Sequence, residues 1–149
     1  MNKRSRRFIP IQRLARHSED QAAQQLGKAQ QYLSNQEQRL QELIAYRDEY
    51  AQQFHVNGQT GFDGRQLQAY QSFLRQLNLA IEQQQQQILN AEEQCSARQH
   101  DWRKQHTHTE VLNSAVKRIK GQEQRKEQRQ EQRSNDEQAM RRRGETSSS

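Results

Sequence analysis

Of 149 residues only 30% are hydrophobic, one is proline, and 30 are glutamine. Globular domains run at about 45–50% apolar, so a layered α/β fold with a wide core is excluded, and the regular turn signals and alternating strands of a β-sandwich are missing. What such a chain can bury is a narrow apolar seam between long helices, and its net charge of +6 asks for an anionic counterpart: an acidic protein surface, anionic lipid or nucleic acid.

The excess charge sits at the start of the chain. The first 17 residues carry six Lys/Arg and no acid; residues 18–120 carry 11 basic against 12 acidic, and residues 121–149 seven against six. Residues 1–7 form a basic arm with no apolar stretch behind it, so they do not read as a secretory signal. No run approaches the ~18–20 apolar residues of a membrane span. Cys95 is the single cysteine, which allows no intrachain disulfide and suits a cytoplasmic protein.

Helix one is expected from about Phe8 to His55. Leu26, Leu33, Leu40 and Phe54 form one seven-residue column, interrupted by Arg47. Ala22, Ala29, Leu43 and Tyr50 form the other, interrupted by Gln36. Upstream, Phe8, Ile11 and Ala15 fit a shifted register, which predicts a stutter near Ser18 to Ala22. A loop over 56–64 follows, where Asn57-Gly58 and Asp63-Gly64 break the pattern.

The second column set is cleaner. Leu67, Leu74, Ile81, Ile88, Cys95, Trp102, Thr109 and Val116 step by seven, as do Tyr70, Leu77, Gln84, Ala91, Arg98, Gln105, Leu112 and Ile119. Alternating steps of three and four mark a coiled-coil helix, expected over about 65–120. A short loop between long helices makes them antiparallel neighbours. The predicted fold is all-α, a long antiparallel two-helix coiled-coil hairpin, a rod with arms of about 70 and 80 Å.

With Phe54 placed near Leu67, the N-terminal arm lies beside Leu112. The open end then gathers Arg4, Arg6, Arg7, Arg13 and Arg16 with Arg103, Lys104, Lys117, Arg118 and Lys120. Residues 121–149 form a charged, Gln-rich tail with no apolar stripe, a solvated helical extension or a frayed one, and the Arg141–Arg143 run and the last residues read as disordered.

Catalytic signatures are absent: no Gly-rich phosphate loop, no Gly-x-Ser-x-Gly, no His-Glu-x-x-His. His106 and His108, two apart on a helix, point about 200° away from each other and cannot share a metal; no cofactor is expected. Cys95 is a packing residue of the seam. Gln84, within the Gln83–Gln87 run, also falls in the seam and should loosen it or fix its register. Near the loop, Tyr46, Tyr50, Tyr70 and Phe73 cluster with Phe62. The seam accounts for Tyr50 and Tyr70 but not for Tyr46 or Phe73, and Leu77 and Ala80 continue the patch. Aromatic surface on a thin helix pair suits a partner site; the plainer alternative is rings folded over the seam.

Leu43-Ile44-Ala45-Tyr46-Arg47-Asp48-Glu49-Tyr50, the glycine-containing loop, Tyr70-Gln71-Ser72-Phe73-Leu74-Arg75-Gln76-Leu77 and Ala80-Ile81-Glu82-Gln83 resemble the FliJ family of flagellar export proteins. The likeness covers about Phe8 to Trp102. It implies a cytoplasmic, non-enzymatic component of the flagellar type III export apparatus, required for flagellum assembly and motility and similar to the central stalk of rotary ATPases. Implied partners are the hexameric export ATPase, the cytoplasmic domain of the export gate membrane protein and export chaperones. The implied location is the cytoplasmic face of the inner membrane at the flagellar base. The family's gate-binding surface corresponds to Tyr46, Tyr50, Phe73, Leu77, Ala80 and Gln84, the last in place of a histidine. The basic open end, Arg4, Arg6, Arg7, Arg13, Arg16, Lys117, Arg118 and Lys120, is the expected ATPase contact, and the free chain is expected to be a monomer. The competing reading is a basic coiled-coil nucleic-acid binder. Against it, Pro10 follows the short basic run and the seams form a hairpin rather than a parallel zipper.

Overall fold

A computed structural model describes residues 4–58 and 61–147. The expectations for residues 1–3 of the basic arm, 59–60 of the loop and 148–149 of the tail lie outside the described residues. A short 3₁₀ helix, Arg4–Phe8, leads into α1 (Ile9–Gly58), and α2 runs over Gly64–Ser147. The two long helices pack against each other as a hairpin, and there is no strand among the described residues. Pro10 sits in the first turn of α1, where its missing N–H costs nothing.

The reversal between the helices has a local cause at each step. α1 ends at Gly58, where a Cβ would come 3.3 Å from the Phe62 ring. Gly61 has φ of 93°, a left-handed conformation that only glycine adopts readily, and its N–H bonds the Gly58 carbonyl. Asp63 then caps α2: its carboxylate accepts the Gln66 N–H at 2.9 Å, and the Gln66 side chain accepts the Asp63 N–H at 3.1 Å. This Asp-x-x-Gln capping box is why α2 begins at Gly64.

The chain divides into two compact units, a terminal unit of Met1–Asp20 with Lys104–Ser149 and a loop unit of Gln21–Arg103. In the loop unit the buried seam consists of Leu77, Ile81, Ile88 and Ala91, with Gln36 and Gln84 buried among them. Gln84 Nε2 donates to the Gln36 backbone carbonyl at 2.9 Å and to its Oε1 at 2.8 Å. The polar seam position is therefore paired rather than loose. Arg47, the other interruption, is turned outward, bonding Asp48 and reaching Asn78 Oδ1. Leu67, expected in the seam, is 44% exposed, because Phe54 stacks on Phe62 and Tyr70 instead and the seam starts at Tyr70.

In the terminal unit the buried residues are Ser5, Ala15, Thr109 and Val116. Here Gln12 bonds Asn113 and Glu19 bonds His106, a pairing five residues later along α2 than that of Gln36 with Gln84. The N-terminal arm meets Glu123 rather than Leu112, its expected neighbour: the Glu123 carboxylate accepts the Ser5 N–H at 2.9 Å and its hydroxyl at 2.7 Å. Past Glu123, α2 continues through the Arg141–Arg143 run to Ser147, with side chains exposed from Gln124 through Thr146. The disorder expected there is replaced by a solvated helix, since Gln, Glu, Arg and Lys all rank high in helix propensity.

Candidate functional site

Six aromatic rings of the loop unit form a continuous ladder. Phe62 stacks on Phe54 at 4.5 Å and Phe54 on Tyr70 at 3.5 Å; Tyr70 then stacks on Tyr50 at 5.3 Å. Tyr50 meets Phe73 edge-on at 4.6 Å, and Phe73 meets Tyr46 edge-on at 6.2 Å. The rings replace aliphatic seam contacts near the loop, each pair adding about 0.5–1.5 kcal/mol beyond area burial. The ladder ends at Tyr46, which is 50% exposed.

Beyond Tyr46 the surface opens into a groove of about 900 Å³ between the helices, lined among others by Tyr32, Arg39, Tyr46, Ala80 and Gln87. Tyr32, Arg39 and Tyr46 step by seven along α1, so they share one flank. Tyr32 is 49% exposed. Sequence reasoning missed it, although its heptad spacing from Tyr46 was legible.

Of the residues expected at a gate-binding surface, Tyr46, Tyr50, Phe73 and Ala80 are exposed or half-buried. Leu77 is 8% and Gln84 9% exposed; these two face the opposite helix, and the Gln84 amide is spent on Gln36. Phe73, expected to stand outside the seam, covers its edge against Tyr50.

The terminal unit presents a different surface. Arg4, Arg6, Arg7, Arg13, Arg16, Lys117, Arg118 and Lys120 are all exposed and all belong to it. This unit holds 17 Lys/Arg against nine Asp/Glu, whereas the loop unit holds seven against nine. The offset pairing in the terminal unit also creates a cluster that sequence reasoning missed. His106 Nδ1 bonds Glu19 across the helix pair, and its Nε2 lies 3.1 Å from Glu110 on its own helix. With a carboxylate at each nitrogen the imidazole is favoured as the cation. The bond from Glu19 is the main cause holding the His106 pKa above its ordinary value, and the same bond holds Glu19 below its own. Among the described residues no group of three His, Cys, Asp or Glu side chains is placed to hold a metal, and no helix is long and apolar enough to cross a membrane.

Two long helices in antiparallel seam packing, with an aromatic face on one unit and a cationic face on the other, define a helical-hairpin interaction protein. The chain matches the family of the flagellar FliJ protein over residues 4–146 and belongs to that family. It is thereby a component of the flagellar export apparatus. No curated protein and no solved structure matches the chain.

Proposed function

We propose that the chain links the hexameric export ATPase to the cytoplasmic domain of the export gate, and that it hands export chaperones between them at the cytoplasmic face of the inner membrane. The observation that carries this reading is the chemical division of the surface: the basic residues from Arg4 to Arg16 and Lys117 to Lys120 are exposed on one unit, and Tyr46 ends an aromatic ladder on the other. The cationic face suits an acidic ring of the ATPase. The aromatic face, with Tyr46, Phe73, Ala80 and the groove beyond them, suits the gate. Tyr50, Leu77 and Gln84 support that face from beneath.

The test uses Tyr46→Ala. Tyr46 is half exposed, so its truncation should leave helicity and melting nearly unchanged. Aromatic anchors commonly cost about 2 kcal/mol or more in binding, roughly thirtyfold, so affinity for the purified gate domain should fall by that order and swimming should be lost. Phe73→Ala should act on both binding and melting, because Phe73 also packs on Tyr50. Gate affinity unchanged by Tyr46→Ala rejects the assignment.

A further inference from the structure

The solvated part of α2 has an arrangement that an idle helix would not need. Between Glu123 and Arg133 every charged pair four residues apart is like-charged: Glu123/Glu127, Glu127/Glu131, Arg125/Arg129 and Arg129/Arg133. Like charges at this spacing destabilise a helix, and opposite charges stabilise it. From Arg133 onward the pattern reverses: Arg133/Glu137, Glu137/Arg141 and Arg141/Glu145 are all opposite. Glu123 and Lys126, three apart, are an opposite pair, but at four-residue spacing the first stretch keeps two segregated ridges. Positions two apart lie about 200° from each other on a helix, so the ridges face opposite ways.

The acidic ridge has an internal use at its start. Glu123 accepts both the N–H and the hydroxyl of Ser5, which ties down the N-terminal segment. The basic ridge, Arg125, Arg129 and Arg133, points away from that segment and is exposed throughout. It spans about 12 Å, and Lys126, one turn before Arg129, widens it. Its neighbours Gln122 and Gln132 are amides. No apolar side chain flanks it for insertion into a bilayer, and no aromatic for stacking on bases.

We propose that Arg125, Arg129 and Arg133 form a docking ridge for an acidic α-helix of a partner protein, one with carboxylates at four-residue spacing. Spacing, rather than net charge, carries the selectivity. The evenly stepped arginines meet one carboxylate per turn, and the flanking Gln122 and Gln132 bond polar side chains of the partner.

The full-length chain is titrated at about 50 mM salt with a labelled helical peptide bearing Glu at every fourth position. A second peptide has the same composition with Glu and Lys interleaved, and duplex DNA serves as a third probe. The key variant is R129E/E131R, which keeps net charge and leaves Glu123 and Glu127 intact. It converts three like-charged pairs to opposite ones, so circular dichroism should show helicity retained or raised. Affinity for the ridged peptide should nonetheless drop by about fivefold or more. The variant R125Q/R129Q/R133Q should weaken the same binding without adding any new pair. Equal affinity for the two peptides, or unchanged affinity after R129E/E131R, overturns the proposal. So does DNA bound more tightly than the ridged peptide and indifferent to the exchange, which would make the ridge a general polyanion site.

Discussion

At the scale of single residues, two polar contacts across the helix pair make testable demands. His106 is held above its ordinary value of 6.5 first by the bond to Glu19, with Glu110 adding to it and burial opposing; Glu19 is held below 4.5 first by the bond to His106, with Thr109 and Arg16 adding to it. A raised histidine contributes stability that is full below its unfolded pKa and is lost as pH rises through the folded one. A depressed glutamate contributes stability that is full above its unfolded pKa and is lost as pH falls through the folded one. The pair is thus most stabilising between about pH 4.5 and 6.5. Thermal melts should show Tm falling from pH 6 to pH 9, and His106→Gln should flatten that slope. The Gln36–Gln84 pair makes the second demand. Gln84→Ala leaves a buried amide unsatisfied and should cost about 1–3 kcal/mol. Gln36→Leu with Gln84→Leu should be close to neutral in denaturant titration, because both polar groups leave together. A double variant as unstable as the single would show that the amides themselves hold the seam.

Among the elements, glycines separate the forced features from the unforced ones. Gly27 and Gly121 lie inside helices, and a Cβ at either would meet nothing within 4 Å. Gly27→Ala and Gly121→Ala should each stabilise the chain by up to about 1 kcal/mol, measured as a rise in the denaturant midpoint. Gly58 and Gly61 differ, one being crowded by Phe62 and the other held at positive φ. The same substitution at Gly61 should lower the midpoint.

On the scale of the whole molecule, the governing fact is where the charge lies. A net +6 is modest, yet the terminal unit takes all of the excess. Replacing Arg4, Arg6, Arg7, Arg13 and Arg16 with Glu should therefore weaken association with the export ATPase. It should do so mainly through the on-rate, and the residual binding should depend less on salt. Stopped-flow association at two ionic strengths measures both. An on-rate that stays the same at low salt would remove the basic face from the interaction.

Heptad columns, the Asn-Gly and Asp-Gly breaks and low apolar content were enough to read an all-α antiparallel hairpin from the sequence, because a chain this poor in apolar residues has only one narrow seam to bury. Of the shifted register read for Phe8, Ile11 and Ala15, Ala15 is buried while Ile11 is 48% exposed; the patch around Tyr46 stood out as aromatic area with no seam position to fill. The pairing set by the loop was legible as far as Tyr50 with Tyr70 and Gln36 with Gln84, but the pairing in the terminal unit was not, since many registers align two periodic seams about equally well. Tertiary packing chose among them. Stacking Phe54 on Phe62 and Tyr70 set Leu67 outside, bonding Gln84 to Gln36 buried two amides, and the later offset carried Ser5 to Glu123 and His106 to Glu19. Those partners lie 48 to 118 residues apart along the chain for the bonded pairs Gln84–Gln36 and Ser5–Glu123, and periodicity within one helix says nothing about which turn of the other it will meet.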